Sequence, residues 1–237
     1  MQKFTSGTYV GIALIIASLV FGSFFYASRA SKDVISVIGY ASVDGTANVV
    51  KWNFTLQKAV GLAGLKDGYK GINDDLLIVK SILLDKLGVD KKDILVNPIN
   101  VENLYENNNV TGYNIVQNIQ VIARGEALEK VSDYSLNPTD FLDKSIIFRS
   151  SYLEYTISDI SKIKRQLLSK ATDDAKQRAL AIAKSSKNRI GKLESLRVGV
   201  FQITPPLSTE VSDAGIYNTS TKEKSISVTV NANFYLH

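Results

Sequence analysis

Cysteine is absent from the 237-residue sequence, and histidine occurs once, as the last residue, His237. Without cysteine the chain has no disulfide, no thiolate metal ligand and no cysteine nucleophile. The end of a chain is commonly frayed, so we expect no scaffold to hold the His237 ring. Catalytic triads and histidine metal clusters need an imidazole held by its neighbours. The sequence therefore excludes most histidine-dependent chemistry.

A large excess of charge is also missing beyond residue 32. The formal net charge is +5, and three of the positive charges, Lys3, Arg29 and Lys32, flank an apolar segment, which leaves about +2 for the remainder. Elsewhere the basic and acidic side chains are interleaved along the predicted helices, so no basic patch marks a nucleic-acid surface. We therefore expect no nucleic-acid partner.

An uncharged segment runs through residues 4–28, and residues 9–27 are almost continuously apolar. A helix rises about 1.5 Å per residue, so roughly 20 such residues cross a hydrocarbon core of about 30 Å. This length favours a retained membrane anchor. A cleaved signal has a shorter apolar region, about 7 to 15 residues, and Ser28-Arg29-Ala30 provides a possible cleavage site. Both interpretations stay open, and we favour the anchor.

The orientation of this segment follows from the arrangement of the chain rather than from charge. Lys3 precedes the segment and Arg29 and Lys32 follow it, so the positive-inside count is nearly a tie. A short tail before a long C-terminal domain is typical of export signals. We predict a single-pass inner-membrane protein, with residues 9–27 in the lipid bilayer and the C-terminal domain in the periplasm or outside. A cleaved, periplasmic form is the alternative.

Residues 1–32 thus form the anchor or signal segment, and residues 33–237 form one domain in which strands dominate. Two hairpins are predicted by β-branched and aromatic runs separated by turn-forming residues. Residues 225–236 alternate apolar and polar side chains without a break, which predicts the clearest strand. The predicted strands are 34–40 paired with 47–59 across a turn at 42–45, 93–104 paired with 112–124, then 144–157, 193–203 and 225–236.

Two long helices are predicted by apolar residues spaced three and four apart. Gly88 would end the first, because glycine adopts the left-handed conformation at a helix C-terminus. Residues 126–134 predict a short helix, and residues 204–224 an exposed loop. The fold class is therefore α+β, with antiparallel sheets and two long helices packed on one face, preceded by one N-terminal transmembrane helix. The helical stripes are Ile72, Leu76, Val79, Leu83 and Leu87, and then Ile160, Ile163, Leu167, Ala171, Ala175, Ala179 and Ile182.

Candidate catalytic residues are few and have no supporting motif. Ser161 and Lys164 have the Ser-x-x-Lys spacing of some serine hydrolases, but the companion motifs of those enzymes are absent. Paired carboxylates could bind a metal or transfer protons, although helix-surface solubility and capping explain them better. We predict no catalytic, cofactor-binding or metal site, and no cofactor. The carboxylate pairs are Asp74 with Asp75, Asp90 with Asp93, and Asp173 with Asp174.

Aromatic side chains are the remaining candidates for a contact surface. Trp52, with Phe54 and Tyr40, would lie either in the core or at a subunit contact. Tyr235 lies on the polar face of the last predicted strand, where strand-mediated assembly would leave an aromatic residue. Packing on the sheet surface explains Tyr235 equally well.

Several short sequence segments resemble the SIMPL-domain family, which includes bacterial periplasmic immunogenic proteins of about this size. The segments are Val37 to Val43, Gly112 to Ile122, and the Ala-rich helix Ala171 to Lys184 followed by Ile190-Gly-Lys-Leu193. The resemblance covers about residues 34–236. The family often has Pro-Asp in the second strand of the first hairpin, and Asn48 to Phe54 here lacks it.

This resemblance implies an α+β domain, export to the cell envelope, ring-like or channel-like homo-oligomers, and a loose link to oxidative or envelope stress. No catalytic site is established for the family. We therefore expect a membrane-anchored, non-enzymatic protein that assembles into a homo-oligomer. The alternatives are an exported carrier with a small hydrophobic or lipid ligand between helix and sheet, and an envelope hydrolase that uses Ser-Lys or paired carboxylates.

Overall fold

The structure is a computed structural model that describes residues 6–29 and 33–237. Lys3, Ala30 and Lys32, which entered the arguments on orientation and cleavage, lie outside the described residues. The described α-helices are α1 (Ser6–Arg29), α2 (Leu65–Ser81), α3 (Glu126–Leu136), α4 (Thr139–Leu142) and α5 (Ile160–Ser185). The strands are β1 (Val34–Thr46), β2 (Val49–Gly61), β3 (Ile94–Val96), β4 (Asn100–Glu106), β5 (Asn109–Arg124), β6 (Phe148–Thr156), β7 (Ile190–Val198), β8 (Gln202–Thr204), β9 (Ile216–Tyr217) and β10 (Glu223–Leu236).

The strands form two five-stranded sheets, which confirms the α+β class. Sheet 1 has the order β1-β10-β8-β9, and β7 also pairs with β10. Sheet 2 has the order β3-β5-β2-β6, and β4 also pairs with β5. The pairs within sheet 2 are antiparallel, whereas β8 and β9 in sheet 1 are parallel.

The chain divides into two compact units. The first unit comprises Met1–Gly39, Thr172–Arg197 and Val230–His237, and the second comprises Tyr40–Ala171 and Val198–Thr229. All of sheet 2 and the helices α2, α3 and α4 belong to the second unit.

The predicted hairpin of the first two strands is wrong, because β1 and β2 belong to different sheets. Strand β1 continues through the predicted turn, and the chain turns instead at Ala47 and Asn48. There the Ala47 N–H donates to the Lys222 carbonyl at 2.9 Å, and the Asn48 N–H donates to the Thr156 carbonyl at 3.1 Å. The alternating pattern predicts strands correctly, but it does not identify the strand with which each one pairs.

The second predicted hairpin is confirmed, with a tighter turn than expected. Strands β4 and β5 pair as far as Glu106 and Asn109, so the turn consists of Asn107 and Asn108 alone. Their φ angles are 49° and 65°. Asparagine tolerates this left-handed region, and two such residues match the twist of a two-residue hairpin.

The core of the second unit lies between α2 and sheet 2. All five residues of the first predicted helical stripe are buried, three of them on α2 and two, Leu83 and Leu87, beyond its end. Helix α2 packs against β2 and β5. The helix continues beyond Ser81 as a π-helical turn, Ile82–Lys86, and Gly88 follows this turn with φ +70°, as predicted. Trp52 is fully buried in an aromatic cluster, so its interpretation as a subunit contact is wrong. The ring centroids of Phe54, Phe148, Phe141 and Tyr134 lie 4.5, 5.9, 6.3 and 6.3 Å from that of Trp52.

The second long helix and the last strand also follow their predicted patterns. On α5, Leu167, Ala171, Ala175 and Ala179 are buried, but Ala183 replaces Ile182, which is 49% exposed. The inward residues of β10 are buried from Ile226 to Phe234. The predicted strand 193–203 is broken between β7 and β8, and the predicted loop 204–224 contains the short strand β9.

Helix α1 carries the apolar segment. Its window Tyr9–Tyr26 has a mean hydropathy of 2.0, and 0% of that window is buried. The helix is long and apolar enough to cross a membrane or to act as a signal sequence.

Candidate functional site

The candidate residues Ser161 and Lys164 of the Ser-x-x-Lys spacing both lie on α5. Ser161 is exposed on α5, and the Lys164 ammonium lies 5.1 Å from the ring centroid of Phe201. Such a position is typical of a cation–π contact. A lysine that activates a serine must reach its hydroxyl group, whereas Lys164 is directed to an aromatic ring.

In each candidate carboxylate pair, at least one member forms an ion pair with a neighbouring cation. Asp75 lies 2.8 Å from the Lys58 ammonium, and Asp93 lies 3.0 Å from the Arg124 guanidinium. Asp174 contacts Arg178 at 2.8 Å, one turn further along α5, and Asp90 contacts Lys92 at 3.2 Å. Within residues 6–29 and 33–237, no group of three or more His, Asp or Glu side chains could hold a metal ion.

His237 is better held than its terminal position predicts. Its backbone N–H donates to the Arg189 carbonyl at 2.8 Å, and its carbonyl accepts from the Arg189 N–H at 2.8 Å. A Cβ atom on Gly191 would lie 2.4 Å from its Nε2 and 3.2 Å from the Cβ of Tyr235. His237 and Tyr235 therefore both pack over a glycine on the neighbouring strand.

A groove with polar walls lies on the face of sheet 2 opposite the core. Residues alternate along β2, so Trp52 and Phe54 point inward while Asn53 and Thr55 point to the other face. The groove has a volume of about 430 Å³. We call it the polar groove, and its principal lining side chains are Asn53, Thr55, Asn118, Gln120, Ser150 and Tyr152.

Strand register places these side chains in two rows across the sheet. One row runs through Leu95, Gln120, Asn53 and Tyr152. In this row the Gln120 amide donates to the Asn53 Oδ1 at 2.8 Å. The Asn53 Nδ2 is buried and has no hydrogen-bond partner among the residues that the structure describes.

The second row runs through Asn118, Thr55 and Ser150. The Ser150 hydroxyl donates to the Thr55 Oγ1 at 3.0 Å, and the Thr55 hydroxyl donates to the Asn118 Oδ1 at 2.6 Å. These bonds fix the side chains as a network, so the groove presents its hydrogen-bonding groups in a defined arrangement.

An ion pair crosses the same face beside the groove. Arg149 of β6 donates from Nη1 to both carboxylate oxygens of Glu102 on β4, at 2.7 Å each. Strands β2 and β5 lie between β6 and β4, and the buried Asn114 of β5 donates to the same carboxylate at 3.3 Å. The hydrogen bonds from Arg149 hold the pKa of Glu102 below its usual range.

Lys224 is the most unusual buried side chain in the second unit. It lies at the start of β10, is 1% exposed, and donates from Nζ to the Asn218 carbonyl at 2.7 Å. Burial lowers the pKa of this ammonium, since the charged form loses its hydration.

Strands β4 and β7, one largely in each unit, each have a single partner in the described structure, as do β1, β3, β6 and β9. All seven residues of β4 are exposed, and β4 pairs only with β5. Strand β7 pairs only with β10, and its residues from Lys192 onward are exposed. Such strand edges present unpaired backbone groups that can pair with another chain.

Sequence analysis missed the polar groove, the Arg149–Glu102 pair and buried Lys224. The alternation of Asn53 with Thr55 and of Asn118 with Gln120 is visible in the sequence, but it predicts only a solvated sheet face. The groove arises from the register of four strands, and that register is not encoded by any local spacing.

A family model agrees with the resemblance seen in the sequence. The model "SIMPL: Protein of unknown function (DUF541)" matches residues 35–234, and no curated protein sequence matches the chain. The match covers most of the chain and both compact units. The chain therefore belongs to the SIMPL domain family.

Proposed function

We propose that this chain is a non-enzymatic, membrane-anchored SIMPL-domain protein of the cell envelope that assembles into a homo-oligomer. Residues 1–32 act as the anchor, and residues 33–237 form the exported domain. The observation that carries the proposal is helix α1, whose apolar window Tyr9–Tyr26 is entirely unburied.

The exposure of this helix supports a lipid environment. Soluble proteins rarely expose a contiguous apolar surface of more than a few hundred Å². Large apolar side chains at positions such as Leu19, Phe21 and Phe24 are 67%, 73% and 72% exposed. A bilayer covers them, and the helix satisfies its own backbone hydrogen bonds there. A cleaved signal sequence remains the alternative for this segment.

The contacts of the candidate catalytic groups favour a non-enzymatic role. Lys164 contacts Phe201 instead of Ser161, and the carboxylates of Asp75 and Asp174 are each neutralised by a separate cation. The envelope hydrolase is therefore the weakest of the three functions considered.

Strands β4 and β7 supply the assembly surfaces in this proposal, because each has one partner strand and is exposed over most of its length. Tyr105 on β4 is 66% exposed, and Leu193 on β7 is 44% exposed. The β4 edge of one copy pairs with the β7 edge of the next. Such a head-to-tail contact closes into a ring when the rotation between copies allows it.

A mixing experiment tests this contact. Tyr105→Lys blocks the β4 edge and Leu193→Lys blocks the β7 edge, so each variant alone should be monomeric in detergent. An equimolar mixture should form one-to-one heterodimers, because each partner keeps one intact edge. Leu136→Lys, at a residue that is 82% exposed outside both strands, is the control and should assemble like the wild type.

Light scattering distinguishes the results. A mixture that stays monomeric would exclude the β4-to-β7 contact, as would a single edge variant that keeps the wild-type mass. Neither result would affect the anchor.

The alternative function, in which the protein carries a hydrophobic ligand, is less well supported. In the second unit, the layer between α2 and sheet 2 is filled by side chains such as Ile72, Val79, Phe54 and Leu56. The packing of both long helices on one face of the domain, and the loose link to oxidative or envelope stress, belong to the proposal as expectations from the family.

A further inference from the structure

The walls of the polar groove carry amides and hydroxyls but no side chain that is charged at neutral pH. Among the lining residues there is no Asp, Glu, Lys or Arg; the polar ones are Asn, Gln, Ser, Thr and Tyr. A phosphate or carboxylate ligand would find no counter-ion in these walls. The composition therefore favours an uncharged ligand with many hydrogen-bonding groups.

The hydrogen-bond network leaves one donor and one acceptor that such a ligand can use. Asn118 is an exposed residue that uses its Oδ1 to accept from Thr55, which leaves its Nδ2 as a donor. Gln120, two residues further along β5, uses its Nε2 to donate to Asn53, which leaves its Oε1 as an acceptor. A hydroxyl group both donates and accepts, so neighbouring hydroxyls of one ligand match this pair of amides.

An aromatic and an aliphatic side chain stand at the two ends of one row. Tyr152 is 55% exposed, and Leu95 is 45% exposed. They are separated by β5 and β2, which corresponds to about three strand spacings, roughly 14 Å. A sugar ring has an apolar C–H face and a rim of hydroxyls, so it can stack on the tyrosine ring while its hydroxyls reach the amides.

The backbone of this surface argues against an extended peptide as the occupant. Peptides that add to a sheet pair with the backbone of an edge strand. Strand β2 is hydrogen-bonded on both sides, to β5 and to β6. The side chains must therefore supply the hydrogen bonds, as they do when a sheet face binds a sugar.

We infer that the polar groove binds a neutral saccharide, which stacks on Tyr152 and hydrogen-bonds to Asn118 and Gln120. The volume of about 430 Å³ lies within the range of small-ligand sites and suits one or two sugar rings. Saccharide binding requires neither the anchor nor the assembly proposed above. A negative binding result would therefore not contradict either of those proposals.

The test is isothermal titration calorimetry on the full chain. The protein is held in lauryldimethylamine oxide, since a detergent with a sugar headgroup would compete for the groove. Chitobiose, cellobiose and maltose are titrated separately, and at least one should bind saturably in the millimolar range or tighter. A neutral tripeptide amide is titrated as the competing class.

Variants assign the binding to the groove. Tyr152→Ser should weaken binding about tenfold, a factor that corresponds to about 1.4 kcal/mol. Tyr152→Phe should keep it. Asn118→Asp retains the acceptor for Thr55 and removes the free donor, so it should also weaken binding. Tyr69→Ser, at a 38% exposed tyrosine on α2, is the matched control and should bind like the wild type.

Three results would overturn the inference. The first is no saturable heat with any of the three disaccharides at tens of millimolar. The second is binding of the tripeptide amide in preference to all of them. The third is equal loss of binding in Tyr69→Ser and Tyr152→Ser. Circular dichroism checks that each variant keeps its fold.

Discussion

The Lys224 ammonium donates a 2.7 Å hydrogen bond to the Asn218 carbonyl from a position that is only 1% exposed. This bond ties the first residues of β10 to the segment that precedes them. The Thr219 carbonyl in turn accepts from the Tyr155 N–H of β6 at 2.7 Å. A buried cation that is bonded to a neutral carbonyl is poorly compensated for its lost hydration.

Replacing Lys224 by methionine should change how stability depends on pH. Burial lowers the pKa of Lys224 in the folded chain, whereas an unfolded lysine titrates near about 10.4. Between these two pKa values the unfolded chain binds more protons, so wild-type stability should rise with pH through that window. Lys224→Met should lack this increase.

Urea unfolding gives the free energy of unfolding of the wild type and of Lys224→Met. It is measured from pH 7 to about pH 10, a range that ends below the ordinary lysine pKa. As pH rises, the free energy of unfolding of the wild type should increase relative to that of the variant. A difference that stays constant would show that the ammonium is not desolvated. Lys192→Met, at an exposed residue of β7, is the control.

Trp52 is the single tryptophan of the chain and is fully buried. Trp52→Ala should lower the free energy of unfolding by about 3–5 kcal/mol, because a large side chain leaves a cavity in the core. Tyr152→Ala, on the exposed face of the same sheet, should change it by only about 0.5 kcal/mol. Denaturant titration gives both values. Similar losses in the two variants would contradict the position of Trp52.

Gly61 and Gly112 face each other across β2 and β5 but differ in the space around them. A Cβ on Gly112 would lie 2.3 Å from the Val60 carbonyl oxygen, whereas a Cβ on Gly61 would meet no atom within 4 Å. Gly112→Ala should therefore destabilise the chain by about 1–3 kcal/mol, as overpacking does. Gly61→Ala should stay within about 0.5 kcal/mol of the wild type. Thermal unfolding of the two variants compares them, and equal effects would be inconsistent with the β2–β5 register.

The Arg149–Glu102 pair should contribute to stability only above an acidic threshold. The hydrogen bonds from Arg149 lower the pKa of Glu102 in the folded chain, and an unfolded glutamate titrates near about 4.3. The contribution is therefore complete above that value and is lost as pH falls through the lower, folded pKa.

The Tm difference between wild type and Arg149→Met, followed from pH 7 downward, measures this contribution. It should shrink below about pH 4.3, the ordinary glutamate pKa. Arg149→Lys should keep part of the stabilisation that Arg149→Met loses, since lysine reaches the carboxylate but lacks the planar geometry of arginine. A Tm difference that is independent of pH would mean that Arg149 acts through packing alone.

Local sequence patterns predicted the elements better than their partners. The helical stripe from Ile72 to Leu87 and the inward residues of β10 follow from periodicity, because one buried face imposes a period of 3.6 or 2. The pairing of β1 was mispredicted, since two adjacent strands with a turn-forming sequence between them are compatible with a hairpin or with a change of sheet.

The polar groove was beyond sequence reasoning for a related reason. Asn53 and Gln120 are 67 residues apart in the chain, and only the β2–β5 register brings them together. From the sequence, Lys224 would also be expected at the surface, because it lies between polar residues at the start of a strand. Its burial depends on the segment around Asn218, which carries no periodic signal.

The most direct test of the anchored assembly is intact mass spectrometry combined with light scattering on the wild-type protein purified from the membrane fraction. The account predicts an intact chain of 26.0 kDa that still contains residues 1–32, in a particle of several copies. A monomer whose chain begins near Ser31 would contradict both the anchor and the assembly.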